Sequence, residues 1–186
     1  GYACTAKISA AAPATNPQPQ LWMDYFAKLQ ATPRPSLAVL QDIDPTPVGS
    51  FWGEVNATTH KALGCIGTIT NGGVRDLTEV EELGFGFFAN CVLVSHGYVH
   101  IKEHDCPVEI AGVTVNPGDL LAADRHGVIL IPHEVADRLA DACVQAGEAE
   151  LPVLDGCSKA LADGVEVDLE ELRQWRQKMS EGRQLK

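Results

Sequence analysis

The feature that most constrains this chain is a double change of hydrophobic pattern. Up to residue 105, short apolar runs alternate with helical stripes. From Cys106 to Pro132 only brief alternating runs remain (PVEI, VTV, LLAAD, VILIP), cut by turn residues at close intervals. Beyond Pro132 the pattern is helical. The first stretch asks for parallel strands joined by helical crossovers, the second for a β-meander or small barrel, and the third for helices outside that core. The class is α/β.

The spacing predicts strands at residues 3–9, 36–41 and 65–70, with strand-like material at 87–89, 92–95 and 98–101. Helices are predicted from Gln20 to Gln30, where Leu21, Met23, Phe26 and Leu29 form a stripe, from Glu54 to Leu63, and after Asp76. Residues 11–20 (AAPATNPQPQ) and 42–50 read as loops. Downstream, helices are expected over 133–150, near 158–163 and over 169–181, with Asp168 as an N-cap and Glu171 three residues on. The chain opens on Gly1, within three residues of a strand and without Met, which suggests that a native N-terminal segment is missing.

Composition narrows function. The 186 residues suit one domain with a sizeable core, and 45% hydrophobic content excludes disorder as the main state. With 14 basic against 25 acidic residues, the net charge of −11 disfavours binding to nucleic acid or to an anionic membrane surface. No apolar run approaches the roughly 20 residues of a membrane span. The cysteines at 4, 65, 91, 106, 143 and 157 form no CxxC pair, so reduced thiols and a cytoplasmic location are expected.

The chemistry concentrates between Trp52 and Asp76 (WGEVNATTHKALGCIGTITNGGVRD). Gly53-Glu54-Val55-Asn56 opens a helix, whose free N–H groups can cradle an anion. Asn71-Gly72-Gly73-Val74-Arg75-Asp76 follows a strand, and its glycines permit close approach to a ligand. Arg75 offers a planar fork for a carboxylate. Asp76 is a hard oxygen ligand for Mg²⁺ or Mn²⁺, and Glu54 is a second. The plain alternative is that Asp76 caps its helix, Glu54 favours a helix dipole and Asn71 makes a turn.

These segments resemble the 4-hydroxy-4-methyl-2-oxoglutarate aldolase family, which also holds the regulator of ribonuclease E activity A and metal-dependent oxaloacetate decarboxylases. The resemblance rests on G-[DE]-x-x-A-T followed by G-x-R-D, on Val115-Asn116-Pro117-Gly118-Asp119-Leu120, on Ala123-Asp124-Arg125-His126-Gly127-Val128 and on Gly1-Tyr2-Ala3-Cys4-Thr5. It covers roughly residues 1–145 and implies a β/β/α swivelling-domain sandwich assembled as a homotrimer or homohexamer. A core domain over 1–150 is expected, with a helical extension over 151–186 packing on a neighbouring subunit.

The resemblance also implies roles. Asp76 is similar to the direct metal ligand, Glu54 to the acid that holds metal-bound water, and Arg75 to the arginine that binds the pyruvyl group. The amides of Val55 and Asn56, beside Gly53, resemble the cradle for the substrate carboxylate. An acidic residue of an adjacent subunit contributes in some members, with Glu166, Asp168, Glu170 and Glu171 as candidates here. Two positions depart from the aldolases: Asn71 stands where Asp is common, and Glu54 is longer by a methylene. The implied activity is cleavage or decarboxylation of a small 2-keto acid to pyruvate with Mg²⁺ or Mn²⁺. The alternatives are a non-enzymatic regulator that binds an RNA-processing enzyme, and a lyase for another oxo-acid or a sugar acid. No glycine-rich loop of the nucleotide-cofactor type follows the first strand.

The remaining motifs read as structure. His96, His100 and His104 lie in strand-like sequence, where i and i+4 stand about 13 Å apart, too far to share one zinc ion. His126 falls in a hairpin turn and His60 on a helix surface. The cysteines read as small core residues, Cys65 and Cys91 foremost. Leu169, Leu172 and Trp175 mark the last helix as an interface candidate.

Overall fold

The computed structural model describes residues 1–184. Two compact units emerge, Gly1–Pro132 and the residues from His133 onward. Residue 150 lies within the long helix of the second unit.

The first unit is built on a seven-stranded sheet. Strand β1 (Tyr2–Ser9) leads through helix α1 (Pro19–Ala31) to β2 (Ser36–Asp42), which lies parallel to β1 over Tyr2↔Ser36 to Ile8↔Asp42. A short strand β3 (Ser50–Trp52) and helix α2 (Glu54–Ala62) precede β4 (Cys65–Thr70), parallel to β2. The two-residue β5 (Gly73–Val74) and helix α3 (Leu77–Leu83) then lead to β6 (Gly86–Phe88), parallel to β4. Strand β7 is Cys91–Val92.

The β-rich stretch makes neither a separate meander nor a small barrel. β8 (His100–His104) pairs antiparallel with the second half of β1. β9 (Val108–Ile110) and β10 (Val113–Val115) form a detached hairpin. β11 (Leu120–Asp124) joins the start of β1, and β12 (Gly127–Ile131) completes the edge, for an order β12-β11-β1-β2-β4-β6. Both outer partners need β1, whose two ends have different neighbours.

Period-two alternation along β1 and β2 builds a core on each face. Cys4, Ala6, Ile8, Ala38 and Leu40 face a cluster with Tyr25 and Leu29 of α1, Phe51, Trp52, Ala57 and Val80. Ala3, Leu37 and Val39 face the other way, with Val108, Ile110, Val115 and Leu121. One sheet thus has helices on one side and a β-hairpin on the other, the β/β/α layering expected.

β3, β5 and β7 form a second, small sheet in that order, all parallel. The sequence placed Ser50 and Gly73 in loops and predicted no strand at either place. Strands this short carry no readable period, and only their mutual pairing defines them.

In the second unit a short 3₁₀ turn (His133–Val135) precedes α4 (Leu139–Asp163) and α5 (Leu169–Gly182). The break expected between residues 150 and 158 is absent, and α4 runs through with Pro152 inside it. Its small residues serve the neighbouring helix. A Cβ on Gly156 would come within 2.6 Å of the Trp175 ring, so α5 packs closely at that point. Asp168 caps α5 as expected, its Oδ1 accepting the Glu170 N–H at 2.9 Å and the Glu171 N–H at 3.1 Å.

Candidate functional site

The small sheet brings the two candidate loops together. β3 and β5 run parallel, with Ser50 opposite Gly73 and Trp52 opposite Val74, so Gly53 and Arg75 leave the sheet at the same end. The Arg75 N–H donates to the Trp52 carbonyl at 3.0 Å, extending the pairing by one step. Ser50 reinforces the joint. Its buried hydroxyl lies 2.9 Å from the Gly73 carbonyl, and its own carbonyl accepts from Arg75 Nη1 at 3.0 Å. Ser50 drew no attention in the sequence, since one serine at the end of a Pro/Gly-rich loop has no signature.

Asp76 occupies the N-cap position of α3 in a left-handed conformation (φ 56°, ψ 47°), yet its side chain makes no cap bond to that helix. Its Oδ2 instead accepts the N–H of Glu54 at 2.9 Å, at the start of α2. Arg75 Nε stands 3.6 Å from the same oxygen. Asp and Asn tolerate the left-handed region better than most side chains, which keeps the strain of this turn small.

Gly53 is where this packing demands a glycine. A Cβ there would lie 2.5 Å from Asp76 Oδ2 and 3.0 Å from Arg75 Cγ and Nε. Its backbone is extended (φ −164°), so the constraint is space and not conformation. Gly53 caps α2 without a side chain, and Asp76 supplies the acceptor from across the loop. The N–H groups of Val55 and Asn56 have no partner among the described residues. Asn56 Nδ2 ties the helix start to the Phe51 carbonyl. Val55 and the Glu54 side chain are exposed. The two loop ends therefore bring Arg75 and Asp76 to the backbone of Glu54, beside two free helix amides.

Asn71 does not join them. Its Oδ1 accepts the Asp42 N–H at 2.7 Å and its Nδ2 donates to the Asp42 carbonyl at 2.8 Å. Both ends of the amide are spent on the end of β2, which requires Asn and explains why Asp does not stand there. Beneath it, Asp42 is buried with Oδ2 unpartnered, and burial pushes its carboxyl above the usual range.

His60 is not on a helix surface; it is fully buried. Its Nδ1 donates to the Asn56 carbonyl at 2.6 Å, so Nε2 is left to accept from the Tyr25 hydroxyl at 2.9 Å. The ring lies 4.5 Å from that of Trp52 and is surrounded by Phe26 and Phe51. Burial pushes its pKa down to about 4.

Of the other histidines, His100 and His104 stand at opposite ends of β8, and His126 pairs with Asp124 at 3.0 Å in the β11–β12 turn. Cys4, Cys65 and Cys106 are buried, Cys91 and Cys157 half-buried and Cys143 exposed, all as free thiols. Among the described residues no helix is long and apolar enough to cross a membrane, and no group of three or more His, Cys, Asp or Glu comes together to hold a metal ion.

The RraA-like family model, described as Aldolase/RraA, matches residues 1–130. The chain belongs to the RraA-like family. Among curated proteins it is 40% identical over 72 residues to a putative 4-hydroxy-4-methyl-2-oxoglutarate aldolase of Deinococcus radiodurans, covering 37% of this chain and 43% of that one. It is 35% identical over 89 residues to protein DlpA of Legionella pneumophila, covering 46% of this chain and 14% of that one. The chain thus spans less than half the length of these relatives.

Among solved structures, an uncharacterized protein from Pseudomonas syringae aligns with TM-score 0.68 at 20% identity, over 94% of this chain and 74% of that one. Streptomyces coelicolor RraAS2, described as an unusual member of the RNase ES inhibitor RraA family, aligns with TM-score 0.59 at 23% identity, over 77% and 70%. These likenesses establish the RraA-like fold.

Proposed function

We propose that the chain is a divalent-metal-dependent carbon–carbon lyase that cleaves or decarboxylates a small 2-keto acid to release pyruvate. The observation that carries this reading is the convergence on Gly53: Asp76 Oδ2 lies 2.9 Å from the Glu54 amide and 3.6 Å from Arg75 Nε, beside two unpartnered helix amides. The aldolase names of relatives such as the Deinococcus protein support it.

Asp76 and Glu54 are the residues that would hold Mg²⁺ or Mn²⁺. Two carboxylates fall short of a closed all-protein cage but suit Mg²⁺, which binds through one or two carboxylates and keeps waters and substrate as its other ligands. When bound, the cation supplies Lewis acidity toward the keto oxygen. The chain's own groups do the rest. The Val55 and Asn56 amides, at the positive end of α2, receive the substrate carboxylate. Arg75 is anchored through Nη1 to Ser50, and its Nη2, without a partner among the described residues, faces the charge that develops on the pyruvyl oxygen as the bond breaks.

Glu54, exposed at the start of α2, draws the C4 hydroxyl proton through a water in aldol cleavage. Decarboxylation needs no such base. The same site therefore serves both reactions, and Glu54 separates them. A neighbouring copy in a trimer or hexamer would complete the site with an acidic residue. Asp168 is committed to its helix cap, which leaves Glu166, Glu170 or Glu171.

The test is Arg75→Lys. Lysine keeps the charge but not the fork, so pyruvate release is expected to fall nearly as far as in Arg75→Ala. Full activity with lysine contradicts the assignment.

A further inference from the structure

We propose that Ser50 is a positioning residue that aims the Arg75 guanidinium. Its effect on turnover rests on the lyase reading above. Ser50 is fully buried at the start of β3, opposite Gly73 of β5. It holds Arg75 at both ends. At the far end, the Ser50 carbonyl accepts from Arg75 Nη1 at 3.0 Å. At the near end, the Arg75 N–H donates to the Trp52 carbonyl at 3.0 Å, and Ser50 Oγ lies 2.5 Å from that same carbonyl. Ser50 Oγ also stands 2.9 Å from the Gly73 carbonyl, so its one hydrogen is shared between β3 and β5. The Ser50 N–H donates to the Ser95 carbonyl at 2.8 Å. Every polar group of Ser50 is thus engaged, and none of these bonds goes to Asp76 or Glu54.

The consequence lies in the freedom of Arg75. A long side chain that its ligand must order gives up binding free energy in the process. Arg75 is ordered beforehand. Its backbone is fixed through Trp52 and its Nη1 through Ser50, and its Nε stands 3.6 Å from Asp76 Oδ2. Nη2, without a partner among the described residues, is left for a ligand, and the place of the Ser50 carbonyl sets its direction. Ser50→Ala keeps that carbonyl but removes the hydroxyl that sets β3 against β5. The acceptor for Nη1 is then no longer fixed relative to the Arg75 backbone, and the fork turns more freely. An interaction with charge that develops only in the transition state suffers most from such looseness. Cation binding does not, because Asp76 is held by the Glu54 amide.

The test compares Ser50→Ala with the parent and with Arg75→Ala, each as the full chain. With Mn²⁺ present, pyruvate release is expected to fall about tenfold in kcat. KM and Mn²⁺ affinity are expected to stay within about twofold of the parent. A second readout needs neither metal nor substrate. Nitrogen-15 relaxation of the Arg75 Nε–H signal, assigned by its loss in Arg75→Ala, is expected to change from rigid in the parent to mobile in Ser50→Ala. Ser50→Cys, which fills the space with only a weak donor, takes over if Ser50→Ala does not fold. A merely structural serine would lower the urea midpoint and leave the folded chain's kcat and the Nε–H signal unchanged, and that result overturns the proposal. So does a rigid Nε–H in Ser50→Ala, or a loss of Mn²⁺ affinity as large as the loss of kcat. If the parent releases no pyruvate, the lyase reading fails on its own and the Nε–H signal still decides: mobility in Ser50→Ala upholds the positioning role, and rigidity overturns it.

Discussion

Asp76 stands at the start of one helix and binds the start of another. Its Oδ2 accepts the Glu54 N–H at 2.9 Å across a gap of 22 residues, while α3 goes without a side-chain cap. Helix capping explains an Asp at this position only in part. The carboxylate is held where the two candidate loops meet. Asp76→Asn keeps an acceptor for the amide but removes the charge. Its stability in urea is expected to stay within about 1 kcal/mol of the parent, while Mn²⁺ binding measured by calorimetry is lost. Retained Mn²⁺ affinity would place the metal elsewhere.

Gly53→Ala tests the same packing from the other side. The added methyl meets Asp76 Oδ2 at 2.5 Å, and the extended backbone offers no conformational objection. The chain is expected to fold with a modest loss of Tm. Its Mn²⁺ affinity is expected to fall well beyond that loss, because the carboxylate must move. An alanine variant with unchanged Mn²⁺ affinity would show that this close contact is irrelevant to the site.

Asn71→Asp is expected to destabilise by about 1–3 kcal/mol, the range for leaving a buried polar group without its partner. The Nδ2 donor to the Asp42 carbonyl disappears, and a second carboxylate arrives beside Asp42, already buried with an unpartnered oxygen. Urea midpoints at neutral pH check this. A variant as stable as the parent would mean that the amide clamp contributes nothing.

His60 links stability to acid. Its pKa is about 4 in the folded chain, through burial, against about 6.5 when unfolded. The unfolded state therefore binds more protons between these values, and stability falls as pH drops from 6.5 to 4, by up to about 3 kcal/mol. Asp42, with its raised pKa, acts in the opposite sense near the carboxylate range. His60→Gln separates the two: the acid slope of unfolding free energy is expected to flatten. An unchanged slope would assign the acid sensitivity to other groups.

Much of this was legible in the sequence because it rests on local chemistry. The runs at 36–41 and 65–70 and the stripe of Leu21, Phe26 and Leu29 carry strong periods, and β2, β4 and α1 form there. The pairing of Gly-Glu-Val-Asn with Val-Arg-Asp could be anticipated only as two loops leaving one sheet. The sheet itself, β3-β5-β7, is invisible in sequence, because strands of two or three residues have no period. His60 was misplaced because α2 presents an imidazole at a core position, and a polar ring is tolerated there only through Tyr25 and Asn56, contacts made 35 and four residues away. The interval between the helices expected over 133–150 and near 158–163 holds Pro152 and Gly156, and both lie inside α4. Packing against Trp175 overrides local propensity.

The most direct measurement is pyruvate release from oxaloacetate and from 4-hydroxy-4-methyl-2-oxoglutarate. It is made with Mg²⁺, with Mn²⁺ and with EDTA, against a blank of metal without protein. The account predicts turnover above the blank with at least one substrate, abolished by EDTA and by Asp76→Asn. Turnover that survives EDTA, or none with either substrate and either metal, would contradict it.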